Sequence, residues 1–337
     1  MLVVVVVCIV YSLANVDNFF NKMSNFAQNL VTLMKQIKIW LEAVRLRTLP
    51  VSLSGVLIAL GLAKWNHAFR LAPALLCLVF ALLAQVVSNF ANEYYDYKSG
   101  ADKKGRAGFR RGVTEGDIKP AVMRRVMFTL LGITCLVGLC MLAWVDPGYN
   151  YNNWLMLLGV GVLVALGALA YSAGPYPLSY HALGEVAVFL FYGLVPVIFT
   201  YYVVTGTFGP FAVMAGIAIG FMGVNVLLVN NYRDVDDDRD AGKRTSVVVF
   251  GRPAAQLAYL ANGFMALAVL AVLWLRIYYT MPLWALLAPV VYINMHFYTW
   301  MRLRRSEGAQ LNGLLGATAR NMLIFTLLLI IPLVALS

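Results

Sequence analysis

Asparagine and aspartate side chains spaced four apart, in two segments that each begin with asparagine and follow an apolar run, are the residues here best suited to chemistry. The first segment reads Asn92-Glu93-Tyr94-Tyr95-Asp96-Tyr97-Lys98-Ser99-Gly100-Ala101-Asp102. The second reads Asn230-Asn231-Tyr232-Arg233-Asp234-Val235-Asp236-Asp237-Asp238-Arg239-Asp240. Only 15 of the 337 residues are acidic, and eight of those lie in these two segments. Residues four apart share a helix face, so Asn92 is expected to point with Asp96, and Asp234 with Asp238. Each pair offers oxygen ligands, the donors that a hard divalent cation takes. Acids at the mouth of a membrane bundle cost free energy unless something pairs with them. Salt bridges in a solvated loop would explain one such cluster; two matched clusters at membrane exits favour a cation site. Facing each other, the half-sites could hold two or three Mg²⁺ ions against one diphosphate.

Cations that could grip such a diphosphate follow both clusters: Lys98, Lys103, Arg106, Arg110 and Arg111 after the first, Lys243 and Arg244 after the second. Arginine offers a planar fork of donors to phosphate and lysine a point charge. Arg45, in Arg45-Leu46-Arg47-Thr48-Leu49-Pro50, could reach the same cavity or serve only as a topological anchor. A third motif runs from Tyr171 through Gly174-Pro175-Tyr176-Pro177-Leu178 to Gly184-Glu185. Its Gly and Pro mark a tight loop. Tyr171 and Tyr176 could line a cavity and stabilise a carbocation, or belong to an interfacial aromatic belt.

The elements that must position these groups are membrane helices. The chain is 61% hydrophobic and 12% charged, and its apolar residues arrive in blocks. Nine blocks are expected to span: 48–64, 71–92, 122–144, 153–173, 182–204, 209–230, 254–275, 281–301 and 319–336. Each is near the length a helix needs to cross a bilayer, and none alternates as a β-barrel strand would. The reading is an all-α membrane protein: a nine-helix bundle with a central polar cavity capped by loops. Four helices separate the two acidic clusters, so both face one side, as in a pseudo-repeat. Residues 1–35 read as an extension without assigned function, and 36–337 as one domain.

The net charge of +11 is unevenly placed. If block 48–64 starts in the cytoplasm, the basic loops 93–121, 233–252 and 302–305 all fall on that side with both acidic clusters. Such scattered charges argue against nucleic-acid binding. Cys8, Cys77, Cys135 and Cys140 sit in apolar stretches with no C-x-x-C pairing, which suggests neither zinc nor a disulfide framework. Gly242-Lys243-Arg244-Thr245 lacks the earlier glycine and the preceding strand of a Walker loop. A cation-coupled transporter would place its acids near the midplane in broken helices rather than at helix ends.

Taken together, the motifs resemble the UbiA superfamily of intramembrane prenyltransferases, over roughly residues 36–336. The N-x-x-x-D motif matches Asn92 with Asp96, and the D-x-x-x-D motif matches Asp234 with Asp238. Arg45 to Pro50, Asn89 to Asp102, the Gly-Pro-Tyr-Pro-Leu segment with Gly184 and Glu185, and Asn230 to Thr245 further resemble the 1,4-dihydroxy-2-naphthoate polyprenyltransferases of menaquinone synthesis. The chain departs from the commoner form at Glu93, where Asp is usual, and at Gly100, where many members have an acid and this chain offers Asp102. The resemblance implies Mg²⁺ held by Asn92, Asp96, Asp234 and Asp238. It implies substrate contacts from Arg45, Lys98, Asp102, Arg110, Arg111, Tyr171, Tyr176 and Lys243. The implied substrates are a polyprenyl diphosphate and 1,4-dihydroxy-2-naphthoate, met in the lipid of a bacterial inner membrane. Acceptors such as 4-hydroxybenzoate or homogentisate are the nearest alternatives.

Overall fold

The computed structural model describes residues 28, 30–106, 108–145, 151–277, 283–335 and 337. Most of the 1–35 extension therefore lies outside the described residues. Among those described, every regular element is helical. Helix α1 covers 30–44. It is followed by α2 (Leu49–Trp65), α3 (Leu71–Lys98), α4 (Pro120–Leu142) and α5 (Tyr151–Ala170). Then come α6 (Gly184–Thr205), α7 (Pro210–Arg233), the short α8 (Val235–Asp240) and α9 (Ser246–Ile277). The bundle ends with α10 (Leu287–Leu303) and α11 (Leu311–Ala335).

Among the described residues, eight helices are long and apolar enough to cross a membrane. The ninth expected block, 281–301, yields a 3₁₀ turn at Leu283–Leu286 and then α10 of 17 residues. At 1.5 Å per residue α10 is about 26 Å long, short of the ~30 Å hydrocarbon layer. By the same measure the 28 residues of α3 reach about 42 Å. That exceeds the apolar layer by about 12 Å, enough for its last turns, which carry Asn92 and Asp96, to reach beyond it.

Small residues set the closest helix crossing. Gly193 lies in a π-type turn, Phe189–Leu194, within α6. A side chain there would meet the backbone of Gly216 and Gly220 on α7. With little hydrophobic drive between helices in lipid, such close backbone approach supplies the packing. The turn directly precedes Pro196, whose missing N–H leaves the carbonyl of Tyr192 without its usual helical donor. On the other side of the bundle, the ring of His296 stacks between Tyr259 and Tyr292, with centroids 5.0 and 5.5 Å away. Gly263 leaves room for that ring. Helix α9 breaks at Gly251 (φ 83°), so its first turn lies apart from the span that begins near residue 254.

Candidate active site at the ends of helices α3 and α7

The two acidic segments meet. Asn92 and Asp96 share a face of α3, and Asn92 Nδ2 donates to Asp96 Oδ2 at 3.2 Å. Asn92 Nδ2 also donates to Ser172 Oγ at 3.1 Å, while its Oδ1 accepts from Arg45 at 2.5 Å and from Arg111 at 3.2 Å. Asp96 is 2% exposed and pairs with Lys243 Nζ at 2.9 Å. Its other oxygen accepts from the Tyr180 hydroxyl at 3.2 Å. The loop after α5 thus touches the first motif directly. It also docks on the second motif's loop, where the Arg244 N–H donates to the Tyr180 carbonyl at 3.0 Å.

Asp234 caps the end of α7 and is 2% exposed. Arg233 grips it with Nε and Nη2, both at 2.7 Å, and Arg106 Nη2 lies 2.7 Å from Oδ2. Burial works to raise this carboxyl, but Arg233 and then Arg106 hold it below its ordinary value. Arg106 also binds Asp102, so one guanidinium joins the loop after the first motif to the second motif. Asp102 Oδ2 is buried without a hydrogen bond; Arg111 Nε faces it at 3.4 Å. Burial pushes the Asp102 carboxyl up to about 6, with Arg106 opposing. Burial lifts Asp238 to about 7, with Lys243 opposing.

Among the described residues no three acidic, His or Cys side chains converge closely enough to hold a metal ion. The reason is visible: Lys243, Arg106 and Arg233 lie against the carboxylates. The donor set itself is made of hard oxygens, one of them on Asp102 buried without a hydrogen bond, and it fits a hard divalent cation.

Three expected contact residues lie outside this cluster. Lys98 is exposed, because two residues beyond Asp96 is about 200° around a helix. Arg110 is half exposed and pairs with Asp117 at 2.5 Å. The chain is extended at Arg111, which sends neighbouring side chains to opposite sides. Tyr176 is exposed and stacks on His181 at 3.5 Å between ring centroids. Tyr171 lines the cavity described below. Arg106, one of the cations expected after the first segment, joins the cluster; so do Arg233, Tyr180 and Ser172, which motif spacing does not single out. Glu93 turns away from Asn92 and accepts from the Val113 N–H at 3.0 Å, which fixes the turn that leads out of Arg111.

Beneath the site, α2, α3, α4, α5 and α6 line a cavity of about 420 Å³. Its depth is apolar, with Phe80, Leu142, Leu157, Phe191 and Val203 on the walls. A buried, charge-matched anion site above a hydrocarbon-lined cavity suits a ligand with a polar head and an apolar tail.

Comparisons with known proteins place the chain in a family. A 1,4-dihydroxy-2-naphthoate octaprenyltransferase of Escherichia coli (strain K12) is 30% identical over 293 residues, covering 87% of this chain and 94% of that one. The Haemophilus influenzae protein of the same name is 31% identical over 276 residues, covering 77% and 87%. Among solved structures, a UbiA homolog from Archaeoglobus fulgidus bound to GPP and Mg²⁺ superposes with a TM-score of 0.58 at 14% identity, over 87% of this chain and 99% of that one. A digeranylgeranylglyceryl phosphate synthase gives 0.56 at 16% identity, over 89% and 99%. The family model for UbiA prenyltransferases matches residues 50–335, which takes in both acidic segments, the cations between them and the cavity walls; the chain belongs to the UbiA prenyltransferase family.

Proposed function

We propose that this integral membrane protein transfers a polyprenyl group from polyprenyl diphosphate to 1,4-dihydroxy-2-naphthoate, releasing CO₂ and diphosphate and giving a demethylmenaquinol. The observation that carries the reading is the closed acidic and basic cluster of Asp96, Asp102, Asp234, Arg106 and Lys243 directly above the apolar cavity. The names of the E. coli and H. influenzae relatives support the choice of acceptor.

Asn92, Asp96, Asp234 and Asp238 would hold Mg²⁺, which when bound neutralises charge on the leaving diphosphate. Lys243, Arg106 and Arg111 would exchange their carboxylate and amide partners for diphosphate oxygens. Arg45, fixed on Asn92, adds positive charge at the same level. The allylic C–O bond breaks and its electron pair leaves with diphosphate. The apolar cavity walls keep water from the resulting cation. The ring carbon bearing the carboxylate attacks, and a C–C bond forms. CO₂ then departs and leaves its bonding pair to restore the aromatic ring, so no base is needed at that carbon. The basic loops around 93–121 and 233–252 support an orientation with the site facing the cytoplasm of a bacterial inner membrane.

The test is diphosphate release by purified protein in nanodiscs with Mg²⁺, a polyprenyl diphosphate and either 1,4-dihydroxy-2-naphthoate or 4-hydroxybenzoate. Release that requires the naphthoate and Mg²⁺ is the expected result. Release with 4-hydroxybenzoate alone would keep the prenyl transfer and overturn the acceptor.

A further inference from the structure

The cavity is polar at one end. Ser52, Gln85, Ser88, Tyr171 and Tyr192 line it together with the apolar walls. Ser52 Oγ donates to Gln85 Oε1 at 2.6 Å, and Gln85 Nε2 lies 3.4 Å from Asn89 Oδ1. Ser88 of α3 and Tyr192 of α6 face the same cavity beside them. These groups form a collar joining α2, α3 and α6.

Its position is fixed by helix phase. Gln85, Asn89, Asn92 and Asp96 are spaced four, three and four apart, so they form one stripe along α3. Gln85 lies seven residues before Asn92, about 10 Å along the helix axis. The collar therefore sits one to two turns below the anion site and above the apolar depth marked by Cys77 and Leu142.

Polar side chains at membrane depth are costly and serve either helix contacts or ligands. A helix contact accounts for Ser52 with Gln85. It does not account for the gathering of Ser88, Tyr171 and Tyr192 on the wall of the same cavity. A prenyl tail is hydrocarbon and gains nothing from them. The diphosphate is held above, among Lys243, Arg106 and Arg111. The remaining species is the aromatic acceptor, whose attacked carbon must meet the allylic carbon just below the diphosphate. Its hydroxyls need partners in a water-poor cavity. An amide and a phenol each offer both a donor and an acceptor, so they can re-aim at a ring hydroxyl. The long Gln85–Asn89 contact is the one most readily exchanged.

We propose that Gln85 and Tyr192 hydrogen-bond a ring hydroxyl of the aromatic acceptor, which makes the Ser52–Gln85–Tyr192 collar the acceptor subsite. This rests on the prenyl-transfer reading above. It separates the acceptor-binding groups from those that hold diphosphate.

The test compares wild type, Gln85→Met and Tyr192→Phe in nanodiscs, with KM measured separately for naphthoate and for prenyl diphosphate and with the melting temperature recorded. Gln85→Met keeps length and approximate volume. The expected result is a rise of about tenfold in acceptor KM, as for loss of one buried hydrogen bond. The prenyl diphosphate KM should stay within about twofold, the range of a substitution that touches no partner. A shift in the prenyl diphosphate KM alone would assign the collar to the tail. A fall in melting temperature with both KM values unchanged would reduce it to a helix contact. Either overturns the inference. Should Gln85→Met fail to fold, Tyr192→Phe, which removes a single hydroxyl, decides by the same comparison. Wild type inactive with naphthoate would overturn the functional reading itself, whereas active wild type with an unshifted variant overturns only the acceptor subsite.

Discussion

Replacing Arg106 with Met removes a cation that touches acids of both segments. Its guanidinium binds Asp102 and lies 2.7 Å from Asp234 Oδ2. The two carboxylates fare differently. Asp234 keeps both Arg233 bonds at 2.7 Å. Asp102 is left with Arg111 Nε at 3.4 Å. Breaking a buried ion pair costs about 3–5 kcal/mol when the survivor stays charged. Asp102 can escape that cost. Burial already lifts its carboxyl to about 6, so protonation at pH 7 costs about 1.4 kcal/mol even with Arg106 present. Removing Arg106 lifts it further, and protonation then caps the loss. A carboxyl whose folded value exceeds its unfolded value makes the folded state hold more protons, so its contribution to stability falls as pH rises toward the folded value. In wild type that fall ends just above pH 6; in the variant it continues beyond. The deficit relative to wild type therefore widens between pH 6 and pH 8, by at most about 1.4 kcal/mol per pH unit. Thermal unfolding in detergent without Mg²⁺, followed by tryptophan fluorescence at pH 6, 7 and 8, measures it. An equal deficit at all three pH values would refute the reasoning, as would a variant as stable as wild type at pH 8.

Asp96→Asn and Asp234→Asn should each lower the rate of diphosphate release at least about a hundredfold, the scale of losing one charge-stabilising group, while CD spectra in detergent stay unchanged. Lys243→Ala should raise the KM for prenyl diphosphate, whereas Lys98→Ala and Arg110→Ala should leave it within about twofold, since both side chains point away from the cluster. Gly193→Ala should cost about 1–3 kcal/mol by overpacking against Gly216 and Gly220, seen as a lower melting temperature. The same measurement on Gly132→Ala, which meets nothing nearby, should show no fall.

Helical phase made half of the site legible. Four-residue spacing puts Asn92 against Asp96, and the 3.2 Å bond between them follows. The same rule extends the polar stripe to Asn89 and Gln85, two turns deeper than the acids alone suggest. In the second segment the helix breaks at Asp234 (ψ 8°), yet the Asp238 N–H still bonds to the Asp234 carbonyl at 2.7 Å. The cations were less legible because they sit in a loop. Arg106, Arg110 and Arg111 are equivalent as charges. Which of them turn inward depends on how residues 99–111 cross to α7, and that is set by tertiary contacts such as Glu93 holding the Val113 N–H. The apolar blocks marked the helices well but not the shortness of α10, where hydrophobicity continues through a 3₁₀ turn that does not add to the helix.

The paired cluster also explains how so many charges can be buried at the membrane surface. Five carboxylates, those of Glu93, Asp96, Asp102, Asp234 and Asp238, face five cations, Arg45, Arg106, Arg111, Arg233 and Lys243. Formally the set is neutral, which is what limits its desolvation cost. A divalent cation entering alone would leave two unmatched positive charges in a site of low dielectric. A prenyl diphosphate entering alone would leave an excess of negative charge. Entering together they would nearly cancel, and each would take over a partner that the other displaces: carboxylates freed from Arg106 and Lys243 would serve the metal, and the freed cations the phosphate oxygens. On the proposed function the residues that close the site in the free protein would become its ligands, with the Asp234 carboxyl held below its ordinary value by Arg233 and Arg106 until both arrive.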